Sequence, residues 1–240
     1  MIYTFDTNEI RRFTAALCAA TAIPFIDSIE DFVVEAIFAY TRGITIPDPF
    51  TNTRSKKLYD VVDTNTRCGW SVKSLLCSYT PGCRVELVIQ RADIFKKARQ
   101  LGYDSLSEDS EPSVLGQALL RHWHRKINED AVSQHVNSKR VFILLKQNNT
   151  NNSQYALFEE DIHIYNEEEL SWQWTDDSHT GLQGIHNGDN KVIYRWYPNQ
   201  KQLFEGFFLP NEITNIQVTP TRLGIAQAVD LFSEYLANNP

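Results

Sequence analysis

"YDVVDTNTRCGWSVKSL", residues 59–75, is the stretch on which the reading of the chain turns. Two short apolar runs flank a polar turn, and their alternation fits a β-hairpin with strands over 59–64 and 69–76. Three charges interrupt it. Asp60, Asp63 and Lys73 stand where a half-buried strand would carry aliphatic residues. Because side chains alternate between the faces of a strand, Ser71 and Lys73 share one face while Trp70 and Val72 take the other. Asp60 and Val62 likewise oppose Val61 and Asp63, so whichever face Lys73 takes, one aspartate of the first strand joins it. "RVELVIQR" at 84–91 reads as the following strand, with Glu86, Val88 and Gln90 on one face. Carboxylates and an ammonium gathered in a sheet are costly to bury without partners. They become useful if a divalent metal and a phosphate lie between them.

Working outward, residues 7–21 and 27–41 read as helices, the second opening on Asp27 or Ser28 as N-cap, closing at Gly43 and enclosing Glu35 among apolar residues. Downstream, "ADIFKKARQLG" reads as a short helix and "DSLSEDSEPS" as a polar loop, with Ser113 capping a helix over 114–136. "RVFILLK" at 140–146 is a continuous apolar run, as expected of a strand buried on both faces. After "QNNTNNSQ" the chain turns strand-rich, with "HNGDN" as a hairpin turn, and a last amphipathic helix covers about 222–237. The order implies an α+β fold whose mixed central sheet is flanked by helices. A core over 1–150 and a β-rich C-terminal extension over 151–240 are expected to share one compact domain.

The 240 residues are 42% hydrophobic, enough for an ordinary core. No apolar run approaches the roughly 18 residues of a membrane span, and the N-terminus places acidic, polar residues before its short apolar stretch. A cytoplasmic protein without a membrane partner is expected. The four cysteines form no CxxC pair and read as reduced thiols. The net charge of −7 is unevenly spread. Residues 159–189 hold nine acids and no Lys or Arg, so subtracting nine negative charges leaves the remainder at +2. Basic residues gather in "RSKKLYD", "RADIFKKARQ" and "RHWHRK", which keeps a phosphate-bearing partner open despite the overall sign.

Metal-dependent phosphodiester hydrolysis uses the residue types of the hairpin. Hard carboxylate oxygens hold Mg²⁺ and an ammonium orients the nucleophile or offsets developing charge. "YDVVD…GWSVKSL…RVELVIQR" resembles the nuclease core of the PD-(D/E)XK superfamily, type II restriction endonucleases in particular, over about residues 27–95. In the resemblance Asp60 matches the first motif residue, with Tyr59 where proline is usual, and Lys73 matches the motif lysine. Ser71 replaces the acidic residue of the motif. Some restriction enzymes with Ser-x-Lys recruit a glutamate from the following strand, and Glu86, thirteen residues beyond Lys73, matches that arrangement. Glu35 matches the helix glutamate. The literal Pro47-Asp48 is followed by Pro49 and suits no central strand. The resemblance therefore implies a Mg²⁺-dependent, sequence-specific endonuclease of double-stranded DNA. Asp60, Ser71, Lys73 and Glu86 would be catalytic, and Asp60, Glu86 and Glu35 would be the metal ligands. A homodimer matching a palindromic site is the simplest way for it to cut both strands.

Base reading falls to "YRWYPNQKQLFEGFF", where Arg195, Asn199, Gln200, Lys201 and Gln202 interleave with aromatics. Arg121 and Arg125, with His124, suit phosphate contacts along the 114–136 helix, although a solvated helix face is the plainer explanation of them. Two alternatives stay open. One is a repair or structure-specific nuclease with the same core. The other is a non-catalytic module binding through a Trp-rich β region, in which Trp172 and Trp174 share a face; a packed β core is the plainer explanation of that pair.

Overall fold

Asp6 starts the first helix. Its carboxylate accepts the N–H groups of Asn8 and Glu9 while Glu9 accepts the Asp6 N–H, a reciprocal cap that satisfies otherwise orphaned donors. The structure, a computed structural model, describes residues 1–24, 29–46, 57–80, 82–148, 153–219 and 221–239. In chain order the elements begin with β1 (Ile2–Tyr3), α1 (Thr7–Ala22), α2 (Asp31–Arg42), β2 (Val61–Asp63), β3 (Cys68–Leu76), β4 (Arg84–Arg91) and α3 (Pro112–Ser133). They continue with β5 (Ser138–Asn148), β6 (Ser153–Asp161), β7 (Leu170–Trp174), β8 (Leu182–His186), β9 (Val192–Tyr197), β10 (Gln202–Phe208), β11 (Thr214–Val218) and α4 (Ile225–Asn238). The fold is α+β, as expected. The chain forms two units that are interleaved rather than consecutive: Met1–Tyr79, Val136–Asp161 and Glu212–Pro240 make the first, Thr80–His135 and Ile162–Asn211 the second.

The first unit is built on a mixed sheet in the order β1-β6-β5-β3-β2, with β11 also paired to β6. β3 lies antiparallel to β2 and parallel to β5, with Val61 opposite Trp70 and Ser71 beside Val141. The apolar run of β5 is buried on both faces, since Val141 to Leu145 are all no more than 3% exposed. Helices α1 and α2 cover one face of the sheet, where Phe38 stacks on Phe142 at 4.3 Å and meets the edge of Trp70 at 5.6 Å. Within this apolar layer Glu159 is fully buried. It accepts the Trp70 indole N–H and the Arg140 guanidinium, each at 2.9 Å, and is ion-paired with Arg42. Two cations and a neutral donor thus satisfy a carboxylate that would otherwise be very expensive to bury.

The second unit is an antiparallel sheet in the order β4-β10-β9-β8-β7, on which α3 packs through its contact with β7 and β8. That contact depends on Gly116, because a Cβ there would lie 2.3 Å from the Trp172 indole. Trp172 in turn stacks parallel to Tyr194 with centroids 6.3 Å apart, and Trp174 stacks on His179 at 4.3 Å. Both tryptophans are half-buried and stacked on neighbouring rings.

Some local expectations change. Strand 84–91 forms, but as a partner of β10 and not as the third strand of the hairpin. Gly82 N–H bonds Leu209 O and Leu209 N–H bonds Cys83 O, which anchors the start of β4 to the end of β10. Alternation shows which residues share a face and carries no information on which strand lies alongside. "ADIFKKARQLG" makes turns and one short 3₁₀ segment, Ala98–Leu101, closed by Gly102 at φ 88°. Helix α3 opens at Pro112 after Glu111, one residue before Ser113, with the proline in the first turn where its missing N–H costs nothing. Asp27, Ser28 and Pro47-Asp48, along with the start of "RSKKLYD", lie outside the described residues. Among the described residues no helix is long and apolar enough to cross a membrane.

Candidate active site at the parting of the hairpin

The two aspartates of the hairpin have different tasks. Asp63 belongs to the turn: its carboxylate accepts the Asn65 N–H at 2.9 Å and the Thr66 hydroxyl at 2.6 Å, which holds its pKa below the usual carboxylate range. Asp60 stands at the other end of β2, where the strands part. Its N–H still bonds Trp70 O at 2.9 Å, the last backbone rung, and beyond it β3 continues without β2. The next β3 donor on that open edge, Val72 N–H, is taken by the Asp60 carboxylate at 2.9 Å. Among the described residues a side chain thus takes the place of a strand on that edge. It also fixes one oxygen of Asp60 against the strand that carries Ser71 and Lys73.

Ser71 is 3% exposed, and its hydroxyl has no hydrogen-bond partner among the described residues. A buried hydroxyl without a partner forfeits the solvation of a polar group, a cost on the order of 1–3 kcal/mol. Lys73, two residues on, shares the face of Ser71 and is half-buried, with no hydrogen bond or ion pair among the described residues. Glu35 is 8% exposed on α2. Asp31 and Phe38, four residues before and three after it, lie on the same helical stripe and touch Ser74 and Trp70 of β3. Glu35 therefore lies over β3 at the level of Val72, on the face opposite Ser71 and Lys73.

Glu86 is placed elsewhere. It lies on β4 in the sheet of the second unit, and its two oxygens bond Arg84 at 2.9 Å and Arg195 at 3.2 Å. The expected base-reading and phosphate-contacting residues also sit in that unit. Arg195 is held by Glu86, and Lys201 is paired with Asp93 at 2.8 Å, which holds the aspartate below its ordinary pKa. Asn199 and Gln200 are exposed on the β9–β10 turn, and Gln202 is half-buried as β10 begins. On α3, Arg121 donates to Leu101 O and lies over the Tyr103 ring, while Arg125 is paired with Glu129 at 2.6 Å. His122 is buried against Arg91 O, and burial lowers its pKa.

The donors that the hairpin offers are hard oxygens, the Asp60 carboxylate and the orphaned Ser71 hydroxyl, neighbours across its last rung. Among the described residues no three His, Cys, Asp or Glu side chains form a metal-holding group. Mg²⁺ does not require such a cage: it commonly takes one or two carboxylates and keeps several waters or phosphate oxygens. The set therefore fits Mg²⁺ with a largely hydrated shell, and fits poorly a cation that needs a closed protein cage. Glu160 is a further acidic residue that sequence reasoning did not single out. It stands in the same cross-sheet row as Ser71, with Val141 between them, and burial pushes its carboxyl up to about 7. Only its place in a run of three acids marks it in the sequence.

Compared with protein-family models, curated proteins and solved structures, the chain has no match.

Proposed function

We propose that this chain is a Mg²⁺-dependent endonuclease that cuts double-stranded DNA at specific sequences. The observation that carries the reading is the parted hairpin. An aspartate pinned by a strand N–H lies beside a buried hydroxyl and a lysine that have no partner among the described residues. Asp60 would hold the metal with Ser71 beside it, and Glu35, on the covering helix, would support the edge. Bound Mg²⁺ would supply charge neutralisation at the phosphate and an acidified water. The Lys73 ammonium would orient the attacking water or stabilise charge on the phosphate oxygens. Asn199 and Gln200, exposed and without the ion pairs that hold Arg195 and Lys201, are suited to adenine edges in the major groove. A homodimer would supply the second cut.

The test is digestion of unmethylated plasmid and phage DNA in Mg²⁺ and in EDTA, with Asp60→Asn and Lys73→Ala beside the parent. Discrete fragments are expected in Mg²⁺ only, reduced about 100-fold or more in either variant. A Mg²⁺-dependent smear would indicate a nuclease without sequence choice. Absence of cleavage, or cleavage undiminished in both variants, would overturn the assignment.

A further inference from the structure

Two basic segments that lie apart in the sequence, "RADIFKKARQ" at 91–100 and "RHWHRK" at 121–126, come together in the second unit. The His122 imidazole bonds Arg91 O at 3.1 Å and Arg121 donates to Leu101 O at 3.3 Å, which holds α3 against the turns that follow β4. Burial is the main reason the His122 pKa is low, and Lys97, Arg125 and Lys126 add to the shift, so three cations surround that ring. Ile94, Ala98 and Leu101 are buried beneath the turns, leaving Arg91, Lys96 and Arg99 exposed and Lys97 half-buried. These four side chains have no ion pair among the described residues. The cations on α3 are engaged. Arg121 meets Glu167 at 3.6 Å, and Arg125 and Lys126 meet Glu129 and Asp130, each at 2.6 Å. Asp93, the one acid of the first segment, is taken by Lys201 at 2.8 Å. With four cations and one acid that segment carries +3 in a chain of −7, so everything else carries −7 − 3 = −10.

We infer that Arg91, Lys96, Lys97 and Arg99 form an anchor that grips the phosphate backbone of duplex DNA without metal and without regard to sequence. Three features select that occupant. A cluster of unpaired cations in an otherwise acidic chain draws a polyanion to one place and repels it elsewhere. The cluster also borders the turn that carries Asn199 and Gln200, since Arg91 pairs with Gln202 across β4 and β10 and Asp93 holds Lys201. Backbone contacts there would set the register in which that turn meets base edges. A lipid surface suits the cluster poorly, because interfacial binding needs apolar side chains to insert and no large apolar residue of 91–126 is exposed. The choice of duplex DNA rests on the proposed function, but the anchor takes no part in cleavage.

Fluorescence anisotropy of a labelled duplex of arbitrary sequence, titrated with the full chain in EDTA between about 50 and 200 mM KCl, tests it. The parent is expected to bind with a slope of about −4 in log K against log salt, as four phosphate contacts require. Combining Arg91→Gln, Lys96→Gln and Arg99→Gln, all at exposed positions that leave the core untouched, should make the slope shallower by about 3 and weaken binding at low salt about 30-fold or more. Lys191→Gln, which removes a cation paired with Asp189 on the β8–β9 turn, should change neither. A parent that does not bind the duplex at low salt overturns the inference, and so does a triple variant that binds like the parent. Poly-glutamate that displaces the duplex as well as unlabelled duplex does would overturn it in favour of an acidic protein partner. Because binding is read without Mg²⁺, a duplex held through these residues and never cut would remove the nuclease assignment alone. Site-specific cleavage by a triple variant that binds like the parent would remove the anchor alone.

Discussion

A carboxylate in a strand can be a turn anchor, a backbone cap, a buried ion-pair partner or a carboxyl whose pKa burial raises, and unit 1 holds an example of each. Asp63, Asp60, Glu159 and Glu160 play those parts in turn. Alternation alone left Asp60 and Asp63 equivalent, and what separates them is which hydrogen bonds the ends of the hairpin leave open. That Lys73 and Ser71 share a strand face was legible from their spacing. The pairing of Glu86 with two arginines was not, since Arg84 stands two residues away on the same strand and Arg195 comes from a strand 109 positions on. Glu160 gives a direct prediction. Burial lifts its native pKa from the ordinary 4.5 to about 7, so the folded state binds the proton more tightly. That contribution is fully present below the unfolded value and is lost as pH rises through 7. Glu160→Gln should therefore flatten the pH dependence of stability between those values, and should raise stability at pH 8 by up to about 3 kcal/mol. Urea titrations at pH 5 and pH 8 measure the difference, and an unchanged slope between them would count against a proton held at this site.

At the scale of elements, what could be read was burial, and what could not was adjacency. The unbroken apolar run of β5 announced a strand covered on both faces, and α1, α2 and α3 followed from periodicity and end signals. β4 was equally clear as a strand, yet its place beside β10 rests on contacts made across more than 110 residues. Gly116 shows a signal whose meaning emerges only on packing. In a free helix Gly116→Ala would be favourable by about 1 kcal/mol. Here the new methyl would sit 2.3 Å from a rigid indole that is itself stacked on Tyr194, and overpacking of this kind typically costs about 1–3 kcal/mol. The second effect should win, so the variant is expected to melt below the parent with a shifted tryptophan emission. A rise in melting temperature would mean that α3 and β7 approach less closely than described.

For the molecule as a whole, the interleaving of the two units is the feature least visible in the sequence. The chain passes between them near residues 80, 136, 162 and 212. Two of those passages lie beside Pro81-Gly82 and Pro210, but such residues mark ordinary turns as readily as unit boundaries. A break at residue 150 would fall between β5 and β6, which pair with each other. It would strip β6 and β11 from the first sheet and leave β4 without β10. A fragment of residues 1–150 is thus expected to show no cooperative thermal transition, and a sharp melt would establish that the first part of the chain folds alone.

The parallel pairing of β3 with β5 has a consequence in time. A ribosome releases β3 before it makes about 60 further residues, and at roughly 5–20 residues per second its partner is several seconds away. Until then the strand bearing Ser71 and Lys73 keeps an open edge toward the absent β5. Closing a pair so distant in the chain is intrinsically slow, because loop entropy must be overcome before any contact rewards it. The nascent chain is thus most exposed to misassembly at the strand on which its proposed chemistry depends.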